Sequence, residues 1–165
     1  MTWSFPMTTP AASSATAPLA ALTPLYGGPI TLDEARRVAD AARAEAQRHG
    51  WPMVIAIADS TGQLALLYRL DQAQHGSVLV AQQKAKTAVD FRRPTGAFEA
   101  ALAEGGLHLR LLGMTNLTPL EGGLPILRDG RVIGAIGVSG MQSTQDAQIA
   151  AAGLAAMQAG EVSRP

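Results

Sequence analysis

The chain has 165 residues, 47% apolar and 16% charged, a length and composition typical of one globular domain with its own core. Thirteen basic residues balance thirteen acidic ones, which argues against a nucleic-acid-binding surface, and no basic amphipathic helix indicates a membrane surface. The absence of cysteine excludes disulfides, thiolate metal sites, a cysteine nucleophile and covalent haem attachment.

The N-terminal region is rich in Ala, Ser, Thr and Pro and shows no periodicity, so we expect a mobile arm over residues 1–29. Its first 21 residues lack a basic start and an uninterrupted apolar run, which favours a cytoplasmic location and leaves export open. No segment is long and apolar enough to span a bilayer. We expect one domain over 30–158, followed by a tail at 159–165.

A first helix is predicted after Thr31, because Thr31 and Glu34 have the spacing of a capping box. Gly50 is placed to end this helix, and Pro52 prevents its return. The residues at helical spacing on its apolar face are Leu32, Ala35, Val38, Ala39, Ala42 and Ala46.

A hairpin of two strands follows, with strands at 53–58 and 63–70 and turn chemistry at 59–62. A second helix is predicted at 76–91, where Arg92 and Arg93 suit the C-terminal dipole, and Pro94 breaks the pattern. Thr95 is placed to cap a short helix through Leu102.

Residues 122–140 predict a second hairpin, with Asp129-Gly130 as its two-residue turn. Its second strand carries Gly134, Gly137 and Gly140, so another backbone or a ligand is expected to approach closely there. Ser143 opens a final helix to about residue 157, with Asp146 as its capping partner. The predicted fold is α/β (α+β), an antiparallel sheet of about five strands flanked by helices.

Five motifs in this order resemble the family of HbpS, the GlcG proteins and the C-terminal domain of PduO proteins, over roughly residues 30–158. They are IAIADSTGQL at 55–64, YRLD at 68–71, AQQKAKTAVDFRRP at 81–94, LEGGLPI at 120–126 and GRVIGAIGVSG at 130–140. The resemblance implies a profilin- or PAS-like fold, assembly into tetramers or octamers, and haem binding in some members.

Lys84 lies at the edge of the apolar face of the second helix. Its side chain either runs along the core to solvent or enters a pocket to meet an anion, and the family motif favours the pocket. Arg69 forms either a surface ion pair with Asp71 or a fork for a ligand carboxylate. Glu121 is either a general base or an exposed loop residue.

The backbone around Gly122, Gly123, Ser139 and Gly140 is a candidate ligand-binding surface, because free N–H groups at a helix start can hold a carboxylate. The alternative for Ser139-Gly140 is a cap and a tight turn. Asp146 is assigned to ligand binding or proton transfer, with simple capping as the stronger alternative.

His75 precedes the second helix and is the histidine best placed to share a pocket with Lys84. No histidines have metal-ligand spacing, so no protein-held metal is expected. For haem, one axial ligand suffices, and the candidates are His75, His108, Met114 and Met141.

Two functions are therefore kept, with binding ranked slightly above catalysis. The first is an oligomeric small-molecule-binding protein that takes haem or a related anionic ligand. The second is a cofactor-independent isomerase, hydratase or lyase acting on a small carboxylated metabolite, in which Lys84, Glu121 and His75 are catalytic. A third possibility is an accessory subunit of a catabolic enzyme.

Overall fold

The structure is a computed structural model that describes residues 23–161. Its elements in chain order are β1 (Leu25–Tyr26), α1 (Leu32–His49), β2 (Val54–Asp59), β3 (Leu64–Arg69), α2 (Ser77–Phe91), α3 (Gly96–Glu104), a 3-10 segment (Gly106–Gly113), β4 (Gly123–Arg128), β5 (Arg131–Ser139) and α4 (Ser143–Glu161).

The five strands form one sheet with β5 at its centre. Strand β5 pairs antiparallel with both β2 and β4, and β2 pairs antiparallel with β3. Strand β1 is parallel to the start of β5, with Leu25 opposite Arg131, so the sheet is mixed. The predicted sheet of about five strands with flanking helices is confirmed, and the one parallel pair is the departure from it.

The helices cover both faces of the sheet. Ile55 and Ile57 of β2 pack in the larger core cluster with α1 and α4, whereas Val54, Ala56 and Ala58 belong to clusters with α2. This alternation follows from the two-residue period of a strand. Strand β2 is therefore buried on both faces, which explains its continuous apolar run.

The predicted boundaries of α1 are confirmed. Thr31 and Glu34 form the capping box, and Gly50 ends the helix in the left-handed conformation. The five predicted face residues from Ala35 onward are buried, but Leu32, the first residue of α1, is 49% exposed.

Gly137 of β5 leaves room for the close packing of helix α2 on the strand. A Cβ on Gly137 would collide with the backbone of α2 at Ala81 and Ala85, so α2 lies directly on the strand. The close approach predicted for this strand is thus made at Gly137 by protein backbone. Asp129 and Gly130 both have positive φ, 52° and 69°, as a two-residue primed turn requires.

The predicted arm 1–29 is partly attached to the domain, which corrects the expectation for residues 23–29. The Tyr26 hydroxyl donates to the carbonyl oxygens of Val89 and Asp90 at the end of α2, and Arg92 donates to the Pro24 carbonyl. Residues 1–22 of that prediction lie outside the described residues. Between residues 23 and 161, no helix combines the length and the apolarity that a membrane crossing requires.

Candidate functional site

Lys84 is a buried lysine whose charged end meets a buried carboxylate. Lys84 is 1% exposed, and its ammonium donates to Asp146 Oδ2 at 2.7 Å and to the Val138 carbonyl oxygen at 2.9 Å. Lys84 comes from α2, Val138 from β5 and Asp146 from α4. The side chain therefore runs inward, as the pocket alternative predicted, and ties a helix on each face of the sheet to its central strand.

Asp146 is held by two different elements. Its Oδ2 accepts from Lys84, and its Oδ1 accepts from the Met141 backbone N–H at 3.1 Å. Burial raises the pKa of the Asp146 carboxyl and outweighs the hydrogen bond and charge of Lys84, which lower it. A buried carboxyl group with a raised pKa can hold or release a proton closer to neutral pH than an ordinary aspartate.

The predicted capping partnership of Ser143 and Asp146 is wrong. The Gln142 N–H donates to the side-chain oxygen of Gln145, which performs the backbone capping at the start of α4. Because Asp146 is turned toward Lys84 instead, its carboxylate is part of the site.

Gly122 and Gly123 allow this pair to form. Gly122 has φ of 117°, and a Cβ there would lie 2.9 Å from the Asp146 Cβ and 3.1 Å from the Lys84 ammonium. The Gly123 N–H donates to Thr95 Oγ1 at 2.9 Å. Thr95 makes no side-chain cap on α3, contrary to the prediction, because its hydroxyl is used to anchor β4.

A cavity of about 290 Å³ opens beside the pair. Its polar wall includes two buried serines, where Ser139 donates to the Ser77 hydroxyl at 3.2 Å. Its lip includes Leu120 and Met141, which are 43% and 40% exposed. The lining residues are Gln74, Gly76, Ser77, Val80, Lys84, Leu120, Ser139, Met141, Ser143 and Asp146. The cavity thus joins a polar interior to an apolar entrance.

Arg69 and His75 do not line this cavity. Arg69 donates to the Ala73 carbonyl oxygen at 3.1 Å and lies 3.0 Å from His75 Nδ1. Arg69 lines a second cavity, and it makes no ion pair with Asp71 among the described residues. The expected grouping of His75 with Lys84 is therefore wrong, since His75 lies exposed before α2 begins.

Glu121 also lies beside the cavity rather than in its wall. Its side chain packs on Gly96, and its backbone N–H donates to the Glu99 carboxylate. Of the predicted ligand-binding residues, the structure brings together Lys84, Gly122, Ser139 and Asp146, with Gly123 and Gly140 in the backbone around them.

Ser77 is a cavity-lining residue that the sequence analysis did not name as a candidate. It stands seven residues before Lys84, which is two helical turns, so both side chains share one face of α2. That spacing could have identified Ser77 as a site residue. No pattern in the sequence identifies Gln74, Leu120 or Ser143 as lining residues.

Of the four candidate axial ligands, only Met141 lines the cavity. His108 lies 3.3 Å from Glu104 in a separate region, and Met114 follows the 3-10 segment. Among residues 23–161, no group of three or more His, Asp or Glu side chains is arranged to hold a metal ion.

The chain belongs to the HbpS-like family, whose model is described as haem degrading protein HbpS-like and matches residues 30–155. It is similar to protein GlcG of Escherichia coli K12, with 39% identity over 99 residues, which cover 60% of this chain and 72% of GlcG. The predicted family is confirmed.

Solved structures of the family share the fold. A double mutant of HbpS from Streptomyces reticuli matches with a TM-score of 0.71 and 32% identity, covering 88% of this chain and 97% of that one. A PduOC–haem complex matches with a TM-score of 0.71 and 28% identity, covering 78% and 94%.

Proposed function

We propose that this protein binds an amphipathic small molecule with a carboxylate group, and that haem is such a ligand. The observation that carries the proposal is the cavity whose polar interior at Lys84, Asp146, Ser77 and Ser139 opens between Leu120 and Met141. Sites for small molecules are concave, mostly apolar and equipped with a few placed polar groups. The similarity to a haem-bound PduOC structure supports haem as the first ligand to test.

The dimensions determine how haem fits. The cavity has a volume of about 290 Å³, which is enough for a carboxylate-bearing arm. It does not enclose a porphyrin ring, because pockets that bury even drug-sized ligands have volumes of roughly 300–1,000 Å³. A propionate would enter beside Lys84, whose charge is partly neutralised by Asp146, and would accept hydrogen bonds from the Ser77 and Ser139 hydroxyls.

The porphyrin ring would lie on Leu120 and Met141. The Met141 thioether is of a type that ligates haem iron. Bound haem would supply redox and oxygen chemistry.

The test is a hemin titration followed by absorbance, with Met141→Ala and Met114→Ala compared. The two methionines are matched in exposure, 40% and 37%, but only Met141 lines the cavity. We expect saturable binding by the wild type, an altered Soret band or weaker binding for Met141→Ala, and wild-type behaviour for Met114→Ala. Equal spectra and affinities in all three proteins would reject this placement of the haem.

Proton transfer on a small carboxylated metabolite is the second candidate, and the raised pKa of Asp146 favours it. In this scheme Lys84 holds the pair in place and Asp146 moves the proton, rather than Glu121 or His75. Asp146→Asn is then expected to abolish turnover in a screen of carboxylic acids. Glu121→Ala and His75→Ala are expected to retain it.

We also propose assembly into a homo-oligomer, a tetramer or an octamer. The 3-10 segment exposes Leu107, Leu109 and Leu112 to 81%, 53% and 69% of their surfaces, an apolar patch that a partner subunit would bury. Native mass spectrometry of the wild type and of Leu107→Ser/Leu112→Ser tests this. The variant is expected to dissociate, and an unchanged assembly would reject this interface.

A further inference from the structure

A second cavity, of about 560 Å³, lies between the C-terminus of α1 and the end of β3. Its lining residues are Arg43, Gln47, Gly50, Trp51, Pro52, Arg69, Leu70, Asp71 and Gln72. None of them lines the Lys84–Asp146 cavity. We infer that this is a separate binding site for a small aromatic carboxylate, held by Arg69 with Trp51 as its ring-stacking wall.

Arg69 is the cation that such a ligand would meet. Its hydrogen-bond partners are the Ala73 carbonyl oxygen at 3.1 Å and His75 Nδ1 at 3.0 Å, neither of them a carboxylate, and none of the described ion pairs includes it. These contacts fix the guanidinium without neutralising its charge. A fixed, unpaired guanidinium presents a planar fork of donors that matches a carboxylate.

Arg43 adds a second positive group, and Asp71 is the single carboxylate in the lining. The guanidinium carbon of Arg43 lies 5.3 Å from the centre of the Tyr68 ring, and the guanidinium forms an ion pair with Asp40 at 3.0 Å. These two contacts hold Arg43 in position. Because Asp40 neutralises part of the charge of Arg43, Arg69 is the principal anion contact.

Trp51 supplies the aromatic surface. One face of its ring is covered by His49, with centroids 4.2 Å apart and planes 15° apart, and the ring also packs on the core. Its orientation is therefore fixed, and a ligand would meet the part of the ring that remains exposed. The amides of Gln47 and Gln72 offer further polar contacts. Gln72 is one of three non-glycine residues with positive φ in the described part of the chain, at 64°. Such backbone strain occurs at functional sites more often than elsewhere.

The test is isothermal titration calorimetry of the full chain with benzoate, and with benzamide as the uncharged isostere. We expect saturable one-to-one binding of benzoate, at least tenfold weaker binding to Arg69→Gln, and at least tenfold weaker binding of benzamide to the wild type. Arg110→Gln is the matched control, an exposed arginine outside the cavity, and is expected to bind as the wild type does.

Met141→Ala separates the two cavities, since Met141 lines only the first. It is expected to leave benzoate affinity unchanged. No saturable benzoate binding, equal affinity of wild type and Arg69→Gln, or a loss in Met141→Ala as large as in Arg69→Gln would overturn the inference. Circular dichroism of Arg69→Gln checks that the exposed substitution leaves the fold intact.

Discussion

Lys84 and Asp146 are 62 residues apart in the chain, yet their charged groups meet at 2.7 Å in the interior. Both side chains are almost fully buried, at 2% and 3% exposure. The pair joins α2 to α4 past the end of β5, and it also forms the polar wall of the first cavity. The pair therefore combines a contact between two helices with a place in the wall of the proposed ligand site.

Removing one partner of the pair is expected to be costly. Lys84→Met leaves a buried carboxyl group without its cation, and breaking a buried pair in this way costs about 3–5 kcal/mol of the free energy of unfolding. The loss should be smaller at acidic pH, where Asp146 becomes neutral. Urea denaturation at pH 8 and at pH 4 measures both values.

Lys86→Met is the matched control, on the same helix. Its side chain is 50% exposed and pairs with Asp90 on the surface, so its loss should change the free energy of unfolding by less than about 1 kcal/mol. Equal losses of unfolding free energy in Lys84→Met and Lys86→Met would show that burial does not make the Lys84–Asp146 pair more important for stability than a surface pair.

The pH dependence of stability follows from the raised pKa of Asp146. Because the folded state holds this proton more strongly than the unfolded chain, its contribution to stability is complete below 3.8, the ordinary pKa of an aspartate in the unfolded chain. It is lost as pH rises through the folded-state pKa. Asp146→Asn removes this contribution, so the difference in unfolding free energy between the two proteins should change with pH. Parallel curves from pH 3.5 to 8 would contradict the assignment.

Glu34 is expected to act in the opposite direction. Burial raises the pKa of its carboxyl, but hydrogen bonds from Thr31 and the charge of Arg128 outweigh burial and lower it. Its stabilising contribution is therefore present above 4.5, the ordinary pKa of a glutamate in the unfolded chain, and is lost as pH falls through the folded-state pKa.

Glu34→Gln should consequently lower the free energy of unfolding by about 1–2 kcal/mol at pH 7. Thermal or urea denaturation measures this loss. The neighbouring Asp33, whose side chain is 86% exposed, gives the control variant Asp33→Asn, with an expected change under about 0.5 kcal/mol. A similar loss in both would mean that the helix dipole, and not the capping box, is responsible.

Gly137→Ala should be among the most damaging single substitutions. The added methyl group would strike the α2 backbone, which cannot rotate away, and overpacking of this kind costs about 1–3 kcal/mol or more. Gly113→Ala, with open space around its Cβ position, should have little effect. Thermal unfolding of both variants checks the prediction, and equal melting temperatures would disprove the contact.

The local signals of the sequence predicted most of the fold. The capping box of Thr31 and Glu34 and the Asp129-Gly130 turn each depend on residues close in the chain, and both were found. The parallel pairing of β1 with β5 was not predicted, because it joins a two-residue strand to a partner more than 100 residues away. The attachment of Tyr26 to α2 was missed for the same reason.

The site was only partly predictable. Lys84 and Asp146 were both named as candidate site residues, but their pairing was not predicted, because Asp146 at the fourth position of α4 has the spacing of a cap. His75 was grouped with Lys84 because it precedes the second helix, and Arg69 was named as a possible contact for a ligand carboxylate. Arg69 instead lines another cavity, with His75 beside its guanidinium, and no periodicity in the sequence indicates this.

The central claim is that the cavity beside Lys84 and Asp146 receives a carboxylate of the ligand. The most direct measurement compares hemin with hemin dimethyl ester, which has the same ring and iron but no free carboxylate, in absorbance titrations of the wild-type protein. Saturable binding of hemin with at least tenfold weaker binding of the ester is the predicted result. Equal affinity for both would contradict it.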